Sequence, residues 1–304
     1  MKKPAIGFIG MGIMGTPMAQ HLANAGYELT VYDKHRPAAE KAAAGFEGIT
    51  VGESPAQVAG RSEVVVTMLP NGQVVREVAL EEGGLAQGFK KGSLLLDTSS
   101  AEPWITKEIA RTLAKQGVSM VDAPVSGAQA GAQAGTLVFM AGGEPSDLDR
   151  VKPLLGCMGE QIFHLGPLGS GHTMKCLNNL ITAMTFMATA EALAVGKQFS
   201  LDPAVMIDVL NVSTGMSWIS RTQFQQRIFN RKFDDAFKLN LMLKDIGIAM
   251  DLAQSQGIPV PLSSVGHHLW QASARHGEPD ASISDMVRWV EHMTGIELSS
   301  VSGD

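Results

Sequence analysis

Short apolar runs alternate with amphipathic stretches from Ala5 to about Leu165. The runs are Ala5-Ile9, Glu28-Tyr32, Glu63-Met68, Leu94-Asp97, Ser119-Ala123, Thr136-Ala141 and Ile162-Leu165. Strand-length runs separated by helical patterns such as Pro103-Gln116 read as βαβ units, which predicts a mostly parallel sheet with helices on both faces. After Gly171 the period changes. Met174-Phe199, Pro203-Asn211, Lys238-Gln256, Leu262-His276 and Ile283-Met293 all repeat at helical spacing with no convincing strand between them, so the second half is expected to be all-α. Gly166, Pro167, Gly169 and Gly171 punctuate the junction. The expected organisation is residues 1–166 as one domain and 167–304 as another, joined by the long helix that begins near Met174.

Composition supports two cores. With 304 residues, 45% hydrophobic and 18% charged, the chain is long for a single core. A net charge of −6 argues against a nucleic-acid surface, which needs clustered Lys and Arg. Arg221, Arg227 and Arg231 come nearest to a cluster, and they read as a solvated face or as an aid to binding an anion. Cys157 and Cys176 show no framework spacing and fit a reducing compartment. Met1-Lys2-Lys3 resembles the start of a signal peptide, but Gly7, Gly10, Gly12 and Gly15 interrupt the apolar stretch that a signal would need next. Leu180 to Ala190 is too short to span a bilayer before Glu191 interrupts it. A cytoplasmic protein with no membrane partner is expected.

The first run ends in the strongest motif. Gly10-Met11-Gly12-Ile13-Met14-Gly15 places G-x-G-x-x-G directly after a strand and at the mouth of a helix, the context of a dinucleotide-binding fingerprint. Gly10 permits the tight turn, Gly12 lets backbone approach a pyrophosphate, and Gly15 lets helix pack on strand. The helix start supplies N–H groups to the anion. Asp33, at the end of the second strand, suits the ribose hydroxyls and repels a 2′-phosphate. NAD is therefore expected over NADP, although Lys34 and Arg36 leave NADP possible. Asp33 as a simple turn cap before Pro37 is the competing explanation. Met68-Leu69-Pro70 and Thr98 follow later strands at the carboxyl edge of the sheet and are expected to line the cofactor, or in the case of Thr98 to cap a helix. The fold class is thus α/β: an N-terminal Rossmann dinucleotide-binding domain followed by an all-α C-terminal domain.

The junction carries a second signal. Lys175 and Asn179 lie at i and i+4 on one helical face, in a helix otherwise apolar nearly all round. A lysine entering such surroundings without a carboxylate at i+3 or i+4 loses preference for its charged form and becomes useful in proton transfer. A snorkelling lysine is the plainer explanation. Its place at a domain junction, where pockets commonly form, favours the functional one. The loop Ser126-Gly127-Ala128, with Gly131 and Gly135 beyond, is permissive backbone whose N–H groups and Ser126 hydroxyl suit a carboxylate. His172 is placed to tune Lys175 or simply to end a helix. His267-His268 point apart on a helix and have no partner at ligand spacing, so no metal is expected.

Four blocks resemble the β-hydroxyacid dehydrogenase family, which includes 3-hydroxyisobutyrate dehydrogenase and tartronate semialdehyde reductase. They are Gly7 to Ala19, Asp122 to Gly127, Gly169 to Asn179, and Lys244-Asp245. The resemblance implies NAD-dependent hydride transfer on a small hydroxy acid or semialdehyde, with Lys175 as general acid–base and a pKa well below the reference of about 10.4. It also implies that Asn179, Ser126 and Gly127 bind substrate and that Lys244 lies near the nicotinamide. The segment Gly215 to Phe224 departs from the aromatic-Asn-Pro pattern of hydroxyisobutyrate and serine enzymes. Phe233 to Leu239 looks more like the branch acting on semialdehydes of small polar acids, and Trp218 becomes a candidate roof for the substrate. Imine reductases share the fold but usually lack this lysine, and relatives that act as non-catalytic binding modules have lost it. A 6-phosphogluconate dehydrogenase has a much larger helical domain. A homodimer or homotetramer packing its long helices is expected.

Overall fold

The computed structural model describes residues 3–299; Met1 and Lys2, two of the three residues of the signal-like start, lie outside them. Residues up to Lys175 form one compact unit. Its strands and helices are β1 (Ile6–Ile9), α1 (Gly15–Asn24), β2 (Leu29–Tyr32), α2 (Arg36–Ala43), β3 (Ile49–Val51), α3 (Pro55–Arg61), β4 (Val64–Thr67), α4 (Gly72–Leu80), α5 (Leu85–Gly88), β5 (Leu94–Asp97), α6 (Pro103–Ala114), β6 (Ser119–Asp122), β7 (Val125–Ser126), α7 (Ala128–Ala134), β8 (Leu137–Ala141), α8 (Pro145–Met158) and β9 (Gly159–His164). Six strands make a parallel sheet in the order β3-β2-β1-β4-β5-β6. Strand residues alternate between two buried layers: Phe8, Val66 and Leu96 face α1, α2 and α8, while Ile9, Val65 and Leu95 face α3 to α6. This is the doubly wound Rossmann arrangement, and its order reverses between β1 and β4, where such sheets bind ligands.

One strand was not foreseen and two expectations need correction. Ile49–Val51 is a strand, too short at three residues to stand out as an apolar run. Val125–Ser126, expected as loop, pairs antiparallel with β8. The runs near 136 and 162 do not extend the main sheet. With β7 they form a second, three-stranded sheet in which β8 and β9 are parallel.

The second unit runs from Cys176 and is helical: the rest of α9 (Ser170–Gln198), then α10 (Pro203–Asn211), α11 (Trp218–Gln223) running into a π-turn at Phe224–Ile228, α12 (Leu239–Ser255), α13 (Pro261–His276) and α14 (Met286–Thr294). Phe186, Phe224 and Trp270 meet at its centre. Outside the helices, the described residues of this unit contain an isolated bridge between Lys238 and Ser282. By contacts the first unit extends into α9 as far as Lys175, because Asp122 and the His172 ring tie the first turn of α9 to the Rossmann sheet. By length and composition alone α9 is long and apolar enough to cross a membrane, with mean hydropathy 1.2, which the shorter segment Leu180 to Ala190 did not reveal. Ala183, Phe186, Ala190 and Leu193 nevertheless lie on the side of α9 buried in the helical core.

Candidate active site

The fingerprint glycines divide three tasks among them. Gly10 has φ +98°, and a Cβ there would lie 2.3 Å from the Met68 carbonyl oxygen. At Gly15 a Cβ would lie 1.9 Å from the Gly10 carbonyl oxygen, so its absence lets α1 start against the β1 turn. A Cβ on Gly12 would meet no atom within 4 Å. Nothing in the fold demands that glycine, and the free space over it is what a pyrophosphate approaching the backbone requires. Met14, at the head of α1, provides no side-chain cap, so the partial positive charge of that helix start is left for a ligand.

Asp33 has two duties. Its Oδ2 accepts the Met11 N–H at 2.7 Å, tying the end of β2 to the glycine loop, and its Oδ1 accepts the His35 N–H at 2.8 Å. Arg36, one of the two cations that left NADP possible, is held by Glu40 at 2.9 Å and by Glu53 at 2.6 Å. The two carboxylates push its pKa further up. Met68, Leu69 and Pro70 follow β4, where the Met68 N–H donates to the Ile9 carbonyl and the Leu69 N–H to Ser99 Oγ. The Thr98 hydroxyl is buried and donates to the Thr67 carbonyl at 2.7 Å, fastening β5 to β4 instead of capping a helix.

In the loop after β6, Ser126 closes β7, while Gly127 and Ala128 both take positive φ, +129° and +52°, as the chain turns into α7. Lys175 is half-buried on α9, three residues beyond His172. Sequence reasoning named His172 but missed the carboxylate that holds its backbone, Asp122. Asp122 is buried at the end of β6, with Oδ1 accepting the Gly169 N–H at 2.7 Å and Oδ2 the His172 N–H at 2.8 Å. His172, also buried, donates from Nε2 to the Ser99 carbonyl at 3.0 Å, and its Nδ1 lies 2.8 Å from Thr106 Oγ1. Asp122 opens the block Asp122 to Gly127, which was the available signal.

In the helical unit, α9 packs on α12 through Cys176, Ile248 and Ala249. This contact brings Asn179 to Asp245: the buried Asn179 Nδ2 donates to Asp245 Oδ2 at 2.5 Å, and Lys244 Nζ lies 3.1 Å from Asp245 Oδ1. The third and fourth sequence blocks thus meet. Burial, with the Asp245 charge next in importance, pushes the Cys176 thiol up to about 12. Trp218 begins α11 and is 59% exposed, which removes core packing as its role. A shallow hollow of about 620 Å³ between Trp104, Lys107, Arg111 and Leu168 contains none of the expected site residues.

The family model for the NAD binding domain of 6-phosphogluconate dehydrogenase matches residues 5–166, and that for the NAD-binding of NADP-dependent 3-hydroxyisobutyrate dehydrogenase matches residues 169–290. Mitochondrial 3-hydroxyisobutyrate dehydrogenase of Rattus norvegicus is 36% identical over 95% of this chain and 87% of its own length. The chain belongs to the β-hydroxyacid dehydrogenase family. Other members of that family include 2-(hydroxymethyl)glutarate dehydrogenase of Eubacterium barkeri, 33% identical over 98% of both chains, and the NAD-dependent L-serine dehydrogenase of Pseudomonas aeruginosa, 34% identical over 92% of this chain and 95% of its own. A solved family structure, 3-hydroxyisobutyrate dehydrogenase of Mycobacterium tuberculosis with L-serine, superposes with TM-score 0.87 at 31% identity over 95% of this chain and 99% of its own. An imine reductase from Myxococcus stipitatus shares the fold alone, at 18% identity and TM-score 0.64 over 95% of this chain. The cofactor of this β-hydroxyacid dehydrogenase is NAD, with NADP possible.

Proposed function

We propose that this protein interconverts a small 3-hydroxy acid and its semialdehyde, with Lys175 as general acid–base and Asn179 as substrate anchor. The observation that carries the reading is α9 itself, which holds a half-buried Lys175 one turn before an Asn179 locked by Asp245. The bound nicotinamide supplies the hydride acceptor in oxidation and the donor in reduction. In oxidation the neutral Lys175 amine takes the hydroxyl proton as the carbon–hydrogen bond gives up its hydride; in reduction the ammonium returns that proton to the new alkoxide oxygen. The Asn179–Asp245 bond fixes which way the Asn179 amide points, leaving its oxygen turned to Asn178 and available for exchange with a substrate donor. Ser126, Gly127 and Ala128 are proposed to hold the substrate carboxylate, and Lys244 to serve the cofactor side.

The substrate class follows from chemistry shared by the named relatives. 3-Hydroxyisobutyrate, serine and 2-(hydroxymethyl)glutarate are all 3-hydroxypropanoates that differ at C2. We assign the same core to this enzyme's substrate, with a small polar C2 substituent. NAD is preferred over NADP because Asp33 presents a carboxylate where a 2′-phosphate would lie and because Glu40 and Glu53 already occupy Arg36. A spectrophotometric panel of C2-substituted 3-hydroxypropanoates and their semialdehydes, with NAD(H) and NADP(H), tests the reading. Lys175→Ala should lower kcat by about 10²- to 10⁴-fold while NAD⁺ affinity and folding stay unchanged. Substantial turnover by that variant would sink the assignment, and a panel with no turnover would sink the activity.

A further inference from the structure

Gly169, at the head of α9, carries no side chain with which to cap the first turn. The cap comes instead from Asp122, 47 residues earlier, through both carboxylate oxygens. Two glycines make room for it. A Cβ on Gly142 would lie 2.6 Å from Asp122 Oδ1, and one on Gly171 would lie 2.9 Å from Oδ2. From the other side, His172 is gripped by the Ser99 carbonyl and the Thr106 hydroxyl, and its Nε2 lies 3.7 Å from Asp97 Oδ2. The carboxyl ends of β5 and β6 and the start of α6 therefore hold one helical turn by one carboxylate and one imidazole. Lys175 is the next residue along that side of the helix, three positions beyond His172.

We infer that Asp122 and His172 are positioning residues for Lys175: they fix the start and rotation of α9, so that the amine is presented in one place to the reacting hydroxyl. The inference rests on the acid–base reading of Lys175. A buried carboxylate accepting two N–H groups is a stronger anchor than any neutral cap. Burial pushes the Asp122 carboxyl up, while the His172 ring and then the two N–H donors act the other way.

The test uses the full chain loaded with NAD⁺. Asp122→Asn keeps the side chain's shape but leaves only one acceptor for the two N–H groups. It should lower kcat by at least about tenfold, because small misplacements of an acid–base group are costly. KM should stay within about threefold. The midpoint of the kcat–pH profile should move by about half a unit or more as the surroundings of the amine change. NAD⁺ affinity, read by protein fluorescence, should hold. In a Lys175→Ala background the same substitution should leave the residual rate unchanged. Wild-type kcat and pH midpoint in folded Asp122→Asn, alongside an inactive Lys175→Ala, would overturn this inference and spare the acid–base reading. An active Lys175→Ala would overturn both. If Asp122→Asn does not fold, Thr106→Val, which removes only the hydroxyl beside His172 Nδ1, decides: a smaller loss of kcat with a shifted midpoint supports the inference, and wild-type behaviour overturns it.

Discussion

Gly10 and Gly12 stand two residues apart in one loop and have opposite liabilities. A side chain at Gly10 meets the Met68 carbonyl and a left-handed φ, so Gly10→Ala should destabilise the fold by roughly 1–3 kcal/mol, seen as a lower melting temperature. A Cβ at Gly12 meets no atom within 4 Å. Gly12→Val should leave the melting temperature of the cofactor-free protein nearly unchanged while weakening NAD⁺ binding by about tenfold or more, measured by titration. Equal losses of stability in the two variants would contradict the division of labour. The cysteines yield a third prediction. A thiol pushed up to about 12 is almost wholly protonated at pH 8, and the thiolate is the nucleophile, so Cys176 should resist alkylation in the native protein and react once it is unfolded. Rapid native labelling of Cys176, read by peptide mass spectrometry, would refute this.

At the scale of elements, legibility tracked how local the cause was. The strands β1, β2, β4, β5 and β6 announce themselves as apolar runs because both faces are buried, and α10 is bounded by Pro203 and capped by Asp202. By contrast β7 is two residues long and exists only because β8 lies beside it. The α11 segment gave no helical period because a Ser217–Ser220 capping box starts it and a π-turn takes over within six residues. In the same way, Lys175, Asn179 and Lys244 could be named from spacing and resemblance. Asp122 and the partners of His172 could not, since their role appears only when distant strand ends converge. Caps are also where single elements can be tested. Asn71 accepts the Val74 N–H at the start of α4, and Asn71→Ala should cost about 1 kcal/mol by denaturant unfolding.

At the scale of the whole molecule, the helical unit leaves an apolar stripe in water. Val205 and Val209 on α10 and Val212 just past its end recur at i, i+4 and i+7, with Val212 88% exposed, while Val195 on α9 and Phe199 just past its end form a similar exposed pair. We propose that a second copy of the chain covers it. Val205→Glu with Val209→Glu should shift the mass measured by light scattering from oligomer to monomer. A wild-type chain that is already monomeric would end that proposal.

The unbroken course of α9 also limits how this sequence can change in length. A helix advances about 100° per residue, so one residue gained or lost between Lys175 and Asn179 would turn the two side chains a quarter-turn or more out of register with each other, and the amine would no longer share a face with the amide that Asp245 holds. Side chains there can be exchanged one for another, but the reading length cannot drift. Surface turns such as those at Gly45 and Gly83, where even an added Cβ meets nothing, are open to insertion. Among descendants of this chain, gaps should therefore collect at such turns, and the interval from Lys175 to Asn179 should keep its count.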